Sequence, residues 1–485
     1  MNILQTEDTI CAIATAQGGA IGTIRVSGPE AITITDRIFK PVSGKPLTER
    51  APYTLTFGHI LTPEGEIIDE VLVSLFRAPH SYTGQDSTEI SCHGSSYILQ
   101  QVMQLLIRQG CRAAGPGEYT QRAFLNGKMD LSQAEAVADL IASTSAATHR
   151  MAMNQMRGGF SRELATLRDK LLHLTSLMEL ELDFSDHEEL EFADRSELES
   201  LAHQIEQVIH HLVNTFSVGN ALKNGVPVAI VGETNAGKST LLNALLNEER
   251  AIVSDIHGTT RDVIEDTMNL EGITFRFIDT AGIRETTDTI ESLGIERSFQ
   301  KLDQADIVLW VIDATCAEEQ YCQLANKILP RCEGKHLVIV LNKVDLLLSA
   351  DSLGKVTEDT KSTDEQIARL KATLPDLPED TCVLSLSAKQ KEGLSSLQKQ
   401  LVTFAALPDL SQNDVVVSNI RHYEALSRAL EAIHRVQDGL AMQLSGDLVS
   451  QDLRECLFHL AEIAGGEITN DEVLGNIFKH FCIGK

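Results

Sequence analysis

The sequence contains no run approaching ~20 consecutive apolar residues, so no part of it is expected to cross a bilayer as a helix. Its opening, "MNILQTEDTI", lacks the basic start and apolar stretch of a secretory signal, and a cytoplasmic location is the expectation. The nine cysteines are odd in number, scattered, and form no C-x-x-C pair, which argues against a disulfide framework and for reduced thiols. Positive charge is also scarce: 41 Lys plus Arg face 69 Asp plus Glu, leaving a formal net charge of −28. Such a field repels nucleic acid over most of the surface, so any work on RNA needs a basic partner or a small local patch. What is present, 43% hydrophobic and 23% charged residues over a length of 485, is the make-up of a globular chain of about two to four domains.

Residues 1 to 120 read as mixed α and β. "TICAIAT", "IGTIRVSG", "YTLTFGHI", "EVLVSLF" and "STEISC" are strand-like, and "PEGE" supplies hairpin chemistry between the third and fourth. "SSYILQQVMQLLIRQG" is an amphipathic helix closed by a glycine. Beyond 130 the period becomes helical: Leu164, Leu167, Leu171, Leu174 and Met178 form one apolar stripe, and Leu201, Ile205, Val208 and Leu212 another. Between them "DFSDHEELEF" gathers carboxylates around His187 and reads as an acidic interhelical loop rather than a metal site. Strands return at "VPVAIVG" and alternate with helices to about 400, with "SADSLGKVTEDTKSTDEQ" as an exposed acidic loop. Helical stripes then resume at Leu426, Leu430, Ile433 and Val436, and at Leu453, Leu457 and Leu460. The pattern is that of an α/β domain inserted into a helical one.

The insert carries chemistry. "GETNAGKS", Gly232 to Ser239, follows an apolar strand and opens the helix "TLLNALLN", fitting the phosphate-binding loop G-x-x-x-x-G-K-[ST]. Backbone amides wrap phosphates there, Lys238 reaches the outer ones, and the Ser239 hydroxyl meets magnesium. "DTAG", Asp279 to Gly282, brings a carboxylate towards the metal and an amide towards the terminal phosphate. In "NKVD", Asn342 to Asp345, the last carboxylate can accept two hydrogen bonds from guanine that adenine cannot give. A site built around such an acceptor discriminates by ~10⁴ or more. "SAK", Ser387 to Lys389, offers the Ala388 amide to the guanine oxygen. Together, in order, they specify a GTP-binding domain.

How GTP is cleaved is less ordinary. Ile283 stands where Ras-like enzymes carry a water-orienting glutamine. Glu285, Asp288 and Glu291 are the acidic candidates downstream, and Arg261 in "GTTRD" is the nearest arginine. Thr259 or Thr260 can meet magnesium once the terminal phosphate is present. Asn235, inside the phosphate loop, offers an amide oxygen to a monovalent cation that would replace an arginine finger. The chain ends in "FCIGK": Gly484 and Lys485 do not fit a prenylation signal, no second thiol or histidine pair supports zinc, and apolar Phe478, Phe481 and Ile483 argue that the tail docks.

"GEYTQRAFLNGKMDLSQAEA", "NAGKSTLLN", "IHGTTRDV", "DTAGIRE", "GIERS" and "FCIGK" together give the whole chain a resemblance to the MnmE (TrmE) family of tRNA-modification GTPases. The resemblance implies a multidomain protein. An N-terminal α+β domain for tetrahydrofolate binding and dimerisation would occupy 1–122, a discontinuous helical domain 123–222 and 401–485, and an inserted α/β P-loop GTPase domain 223–400. It implies a folate site of Arg25, Glu89, Lys128 and Lys485, with Cys482 as a possible functional thiol or a packed one. It implies a GTP site of Asn235, Ala236, Gly237, Lys238, Ser239 and Thr240, then Ser254, Asp255, Ile256, His257, Gly258, Thr259 and Thr260, then Asp279, Thr280, Ala281 and Gly282, completed by Asn342, Lys343, Asp345, Ser387, Ala388 and Lys389. Within it Ser239 and Thr260 would hold Mg²⁺, Asn235, Ser254, Ile256 and Thr259 would hold K⁺, and Glu291 would be catalytic.

The activity implied is potassium-dependent GTP hydrolysis in a homodimer joined to the flavoprotein MnmG as a heterotetramer. That complex adds an aminomethyl or carboxymethylaminomethyl group to the wobble uridine of certain tRNAs, using a 5-formyl or 5,10-methylene tetrahydrofolate. FAD and much of the tRNA-binding surface would come with the partner, which suits the acidic balance here. His257 and the loop after Asp345 depart from the family pattern without touching its motifs. Two other classes compete: a ribosome-assembly GTPase, which would need a basic RNA module not visible here, and a folate-sensing GTP switch.

Overall fold

The structure, a computed structural model, describes residues 7–16, 18–183, 195–249, 266–278, 302–350, 381–405 and 415–466, with 478, 481 and 484. It divides into two compact units, one of Met1–Ala142, Met151–Asn214 and Ile420–Lys485, the other of Ser143–Arg150 and Thr215–Asn419.

The first unit holds a seven-stranded sheet of β1 (Ile10–Ile13), β2 (Ile21–Ser27), β3 (Phe39–Pro41), β4 (Thr54–Leu61), β5 (Ile67–Phe76), β6 (Ser87–His93) and β7 (Arg112–Ala113), in the order β3-β4-β5-β6-β2-β1-β7. All neighbours are antiparallel except β1 and β7. Alternation puts Ile24, Val26, Val71, Val73 and Ile90 on one face, where Ile32, Ile34, Leu99, Val102 and Leu106 of the helices Ala31–Ile38 and Ser96–Arg108 cover them. The other face carries Leu55, Phe57 and Leu72, all exposed, beside Glu89 and Arg25.

The same unit contains the helices Leu131–Ala142, Gly159–Asp183, Arg195–Asn214, Ile420–Ala441 and Gly446–Ala464. Ile420–Ala441 packs on Gly446–Ala464 and Arg195–Asn214, and Gly446–Ala464 on Gly159–Asp183, so segments from both sides of the insert share one core. The Leu164 to Met178 stripe is buried as read from the sequence. In Arg195–Asn214 the buried face is Leu198, Ala202, Ile205, Ile209 and Leu212; Leu201 and Val208 are only half-buried. The buried face is thus centred on Ala202, Ile205 and Ile209, one position round the helix from the stripe that Leu201 and Val208 suggest.

A buried charge cluster ties these segments. Glu135 accepts from Arg421 Nε and Nη2 (3.0 and 2.9 Å) and pairs with His422 Nε2 (2.7 Å), while Arg421 also donates to the carbonyls of Glu462 and Ile463 (2.7 and 3.0 Å) at the end of Gly446–Ala464. Burial alone would raise the Glu135 carboxyl, but the charges and hydrogen bonds of His422 and Arg421 outweigh it and hold it down at about 2.

The second unit is built on a six-stranded sheet of β8 (Val226–Val231), β9 (Asp266–Leu270), β10 (Ile273–Ile278), β11 (Ile307–Asp313), β12 (His336–Asn342) and β13 (Cys382–Ser385), ordered β13-β12-β11-β8-β10-β9. Only the β9–β10 hairpin is antiparallel. Parallel strands need helical crossovers, and helices on both faces bury "VPVAIV", "IVLWVID" and most of "HLVIVLN". Leu241, Leu245, Leu397 and Leu401 fill one side; Trp310, stacked on Tyr321 at 5.1 Å, and Ile328 fill the other. The eight cysteines among the described residues are all free. The segments around His187 and after Asp351 lie outside the described residues, and no described helix is long and apolar enough to cross a membrane.

Candidate functional site

Loops at the carboxyl ends of β8, β12 and β13 meet at one edge of the parallel sheet, where such folds bind ligands. The chain leaves β8 through Asn235, at a φ of +63°, and Gly237, at +96°, into the helix Lys238–Glu249. A β-carbon at Gly237 would lie 2.2 Å from Asn342 Nδ2, so the loop closes only without a side chain there. Lys238 donates to the carbonyls of Gly232 and Glu233 (2.8 and 2.6 Å), holding its ammonium inside the loop. Burial pulls its pKa down, against the opposing charge of Glu233.

Asn342 fastens the loops together. Its amide donates to the Ala236 carbonyl at 2.9 Å and its oxygen accepts from the Ala388 N–H at 3.0 Å, all within the buried interior. The motif asparagine thus joins the phosphate loop to "SAK", whose Ser387 is fully buried and accepts from the Gln390 N–H at 3.2 Å. Lys343 follows at a φ of +65° with its ammonium 2.6 Å from Asp313, and Asp345 is half-buried at the start of the helix Val344–Ala350. Ser239 is in the first turn of its helix, with Asn235, Thr240 and Lys389 exposed. Ser254, Asp255, Ile256, His257, Gly258, Thr259, Thr260, Asp279, Thr280, Ala281, Gly282 and Glu291 lie outside the described residues.

A second site lies on the first unit's sheet. The antiparallel register sets Arg25 opposite Glu89, and the guanidinium grips the carboxylate through Nε and Nη2 (2.9 and 2.8 Å). Arg25 Nη1 donates to the Gly484 carbonyl at 3.1 Å, and the rings of Tyr82 and Tyr119 stand 5.7 Å from the guanidinium carbon. Gly484 has a φ of +96°, and a β-carbon there would meet the Ile13 carbonyl at 2.8 Å. Phe478 is buried and packs on Phe481, so the tail docks at its described positions. Lys128 is exposed and reaches the Pro79 carbonyl at 3.0 Å, on the loop that carries Tyr82, not the Arg25–Glu89 pair itself. Cys482 and Lys485 lie outside the described residues.

Sequence reading did not single out Tyr82, Tyr119 or Asp313. The last had a signal, a carboxylate closing the apolar run "IVLWVI".

A parallel sheet with a phosphate loop, joined by a motif asparagine to two further loops, defines a P-loop GTPase domain. The MnmE helical domain profile matches residues 131–482, and that of the GTP-binding protein TrmE N-terminus matches 9–128. The tRNA modification GTPase MnmE of Bacteroides thetaiotaomicron is 69% identical over 481 residues, covering 99% of this chain and 100% of that one. Those of Phocaeicola vulgatus and Flavobacterium johnsoniae are 65% and 51% identical, each covering 99% of both chains. The chain belongs to the MnmE family of tRNA modification GTPases and is a GTP hydrolase.

Proposed function

We propose that this chain is a potassium-dependent GTPase. With the flavoprotein MnmG, it places an aminomethyl or carboxymethylaminomethyl group on the wobble uridine of certain tRNAs. The observation that carries the reading is Arg25, whose one guanidinium holds Glu89 across the sheet and Gly484 from the far end of the sequence. A part-buried carboxylate, held by a guanidinium that itself stands beside two aromatic rings, fits the donor edge of a pterin, and Lys128 and Lys485 suit an anionic tail. A tetrahydrofolate derivative held there supplies the one-carbon unit; Arg25 and Glu89 bind and orient it.

At the nucleotide, Asp345 and the Ala388 amide read guanine, Lys238 takes the outer phosphates, and Ser239 with Thr260 hold Mg²⁺. Asn235 is exposed on the phosphate loop, which suits a cation ligand, and joins Ser254, Ile256 and Thr259 around K⁺. The cation supplies positive charge at the phosphates, the task for which arginine fingers contribute ~10³ to 10⁵ in rate. Glu291 orients water, since Ile283 cannot. The protein works in the cytoplasm as a homodimer, with FAD and most tRNA contacts on MnmG.

The test is wobble-uridine modification in tRNA from a strain lacking this chain. Modification should be lost, restored by the wild type, and not restored by a chain truncated before Cys482. The truncated chain should keep GTP affinity and lose reduced-folate affinity. Normal modification in the deletion strain overturns the reading, and distinguishes it from ribosome assembly or folate sensing alone. Unchanged folate affinity after truncation overturns the folate assignment.

A further inference from the structure

Asp313 closes β11, and the parallel register sets it beside Asn342 at the end of β12. It is buried, and its contacts are fully specified. Its N–H donates to Gln320 Oε1 at 2.9 Å, and Oδ1 accepts from the N–H and hydroxyl of Thr315 at 3.0 and 2.7 Å. Oδ2 accepts from Lys343 Nζ at 2.6 Å. Lys343 is a residue with a β-carbon at a φ of +65°, a conformation such residues disfavour. Something must hold it there, and Asp313 is the carboxylate that grips its far end. Lys343 stands between Asn342, which joins the loops, and Asp345, two residues on.

We propose that Asp313 is a positioning residue for guanine recognition: by anchoring Lys343 it fixes the turn that presents Asp345 to the base. The inference rests on the guanine-site reading above and deepens it. The polar partners of Asp313 are Gln320, Thr315 and Lys343. The residue acts through the geometry of residues 342 to 345, so its loss should blunt base selectivity and not merely lower affinity.

The test titrates GDP, inosine diphosphate and xanthosine diphosphate against full-length Asp313→Asn, Lys343→Met, the double variant and Asp345→Asn. Asparagine keeps the shape of the side chain and its bonds to Thr315, but gives up the charge that holds Lys343. Asp313→Asn should lose about tenfold in GDP affinity, with the preference for GDP over inosine diphosphate shrinking by a similar factor. Lys343→Met should do the same, and the double variant should be no worse than either, because one bond is lost once. Thermal unfolding checks that each variant folds; if Asp313→Asn does not, Lys343→Met carries the test. Asp345→Asn should move preference towards xanthosine diphosphate. If it does not, the guanine reading fails and this inference with it. If it does while Asp313→Asn keeps wild-type selectivity, whether or not affinity falls equally for all three nucleotides, Asp313 is only a brace and the inference alone is overturned.

Discussion

The two sheets of this molecule carry their chemistry in opposite ways. The central strands β8, β11 and β12 of the nucleotide unit's sheet are buried on both faces, so they are nearly continuous apolar runs and functional groups sit at strand ends and in the loops beyond them. The antiparallel sheet is covered on one face, so along β5 Val71 and Val73 are buried while Glu70 and Leu72 are exposed, and functional groups can stand on the strands themselves. At the first site, precision comes from an asparagine at the end of β12 joining three segments; at the second, it comes from strand register, which sets Arg25 against Glu89. A buried sheet makes a sharp site only where it ends. A half-open one makes it anywhere along its length.

The comparison can be broken most severely at Val340, which has zero exposure in β12. Val340→Asp buries an unpaired charge and should cost about 4 kcal/mol or more, enough to unfold the nucleotide unit. Fluorescence of Trp310, the chain's single tryptophan, reports it; a native-like spectrum and melt would show that the sheet is not sealed on both faces.

Glu135→Gln probes the buried charge of the first unit and should cost about 3 kcal/mol at neutral pH. Because the folded carboxyl is depressed to about 2 from 4.5, its contribution is complete above the unfolded value. It should be lost as pH falls from 4.5 towards about 2, so mutant and wild-type stabilities converge there in denaturant titrations. A gap independent of pH would assign the cost to packing.

Arg25→Ala sharpens the site half of the contrast. It should reduce reduced-folate affinity about tenfold or more while leaving GTP affinity unchanged, with little effect on stability because the pair is partly exposed. A parallel loss of GTP binding would contradict two separately built sites. Smallest of all, Leu72→Ser on the open face should change thermal stability by no more than about 0.5 kcal/mol. A loss above about 2 kcal/mol would mean that this face is covered.

How much could be read from sequence follows the same division. The nucleotide motifs are contiguous stretches, and the strands β8 and β11 beside them are almost wholly apolar, so both were legible without any partner. Arg25 and Glu89 lie 64 positions apart and are joined by register; each alone reads as a surface charge, and only the resemblance paired them. The face of Arg195–Asn214 was read slightly out of phase because Ala202, though fully buried, is small and weakly hydrophobic and so does not stand out in an apolar stripe. Nothing local marked Glu135 as the partner of Arg421 and His422, since an acid on a helix is ordinarily solvated.

That last cluster has a consequence for synthesis. Glu135 leaves the ribosome 286 residues before Arg421, the whole inserted unit being made between them. At about 5 to 20 residues per second, the helical segments that precede the insert wait roughly 15 to 60 s with a carboxylate that has no arginine to meet. Small domains fold well within such an interval. The nucleotide unit can therefore be complete while the helical core is still half made, and the bundle and the Arg25 site close only once the residues that follow the insert have been made.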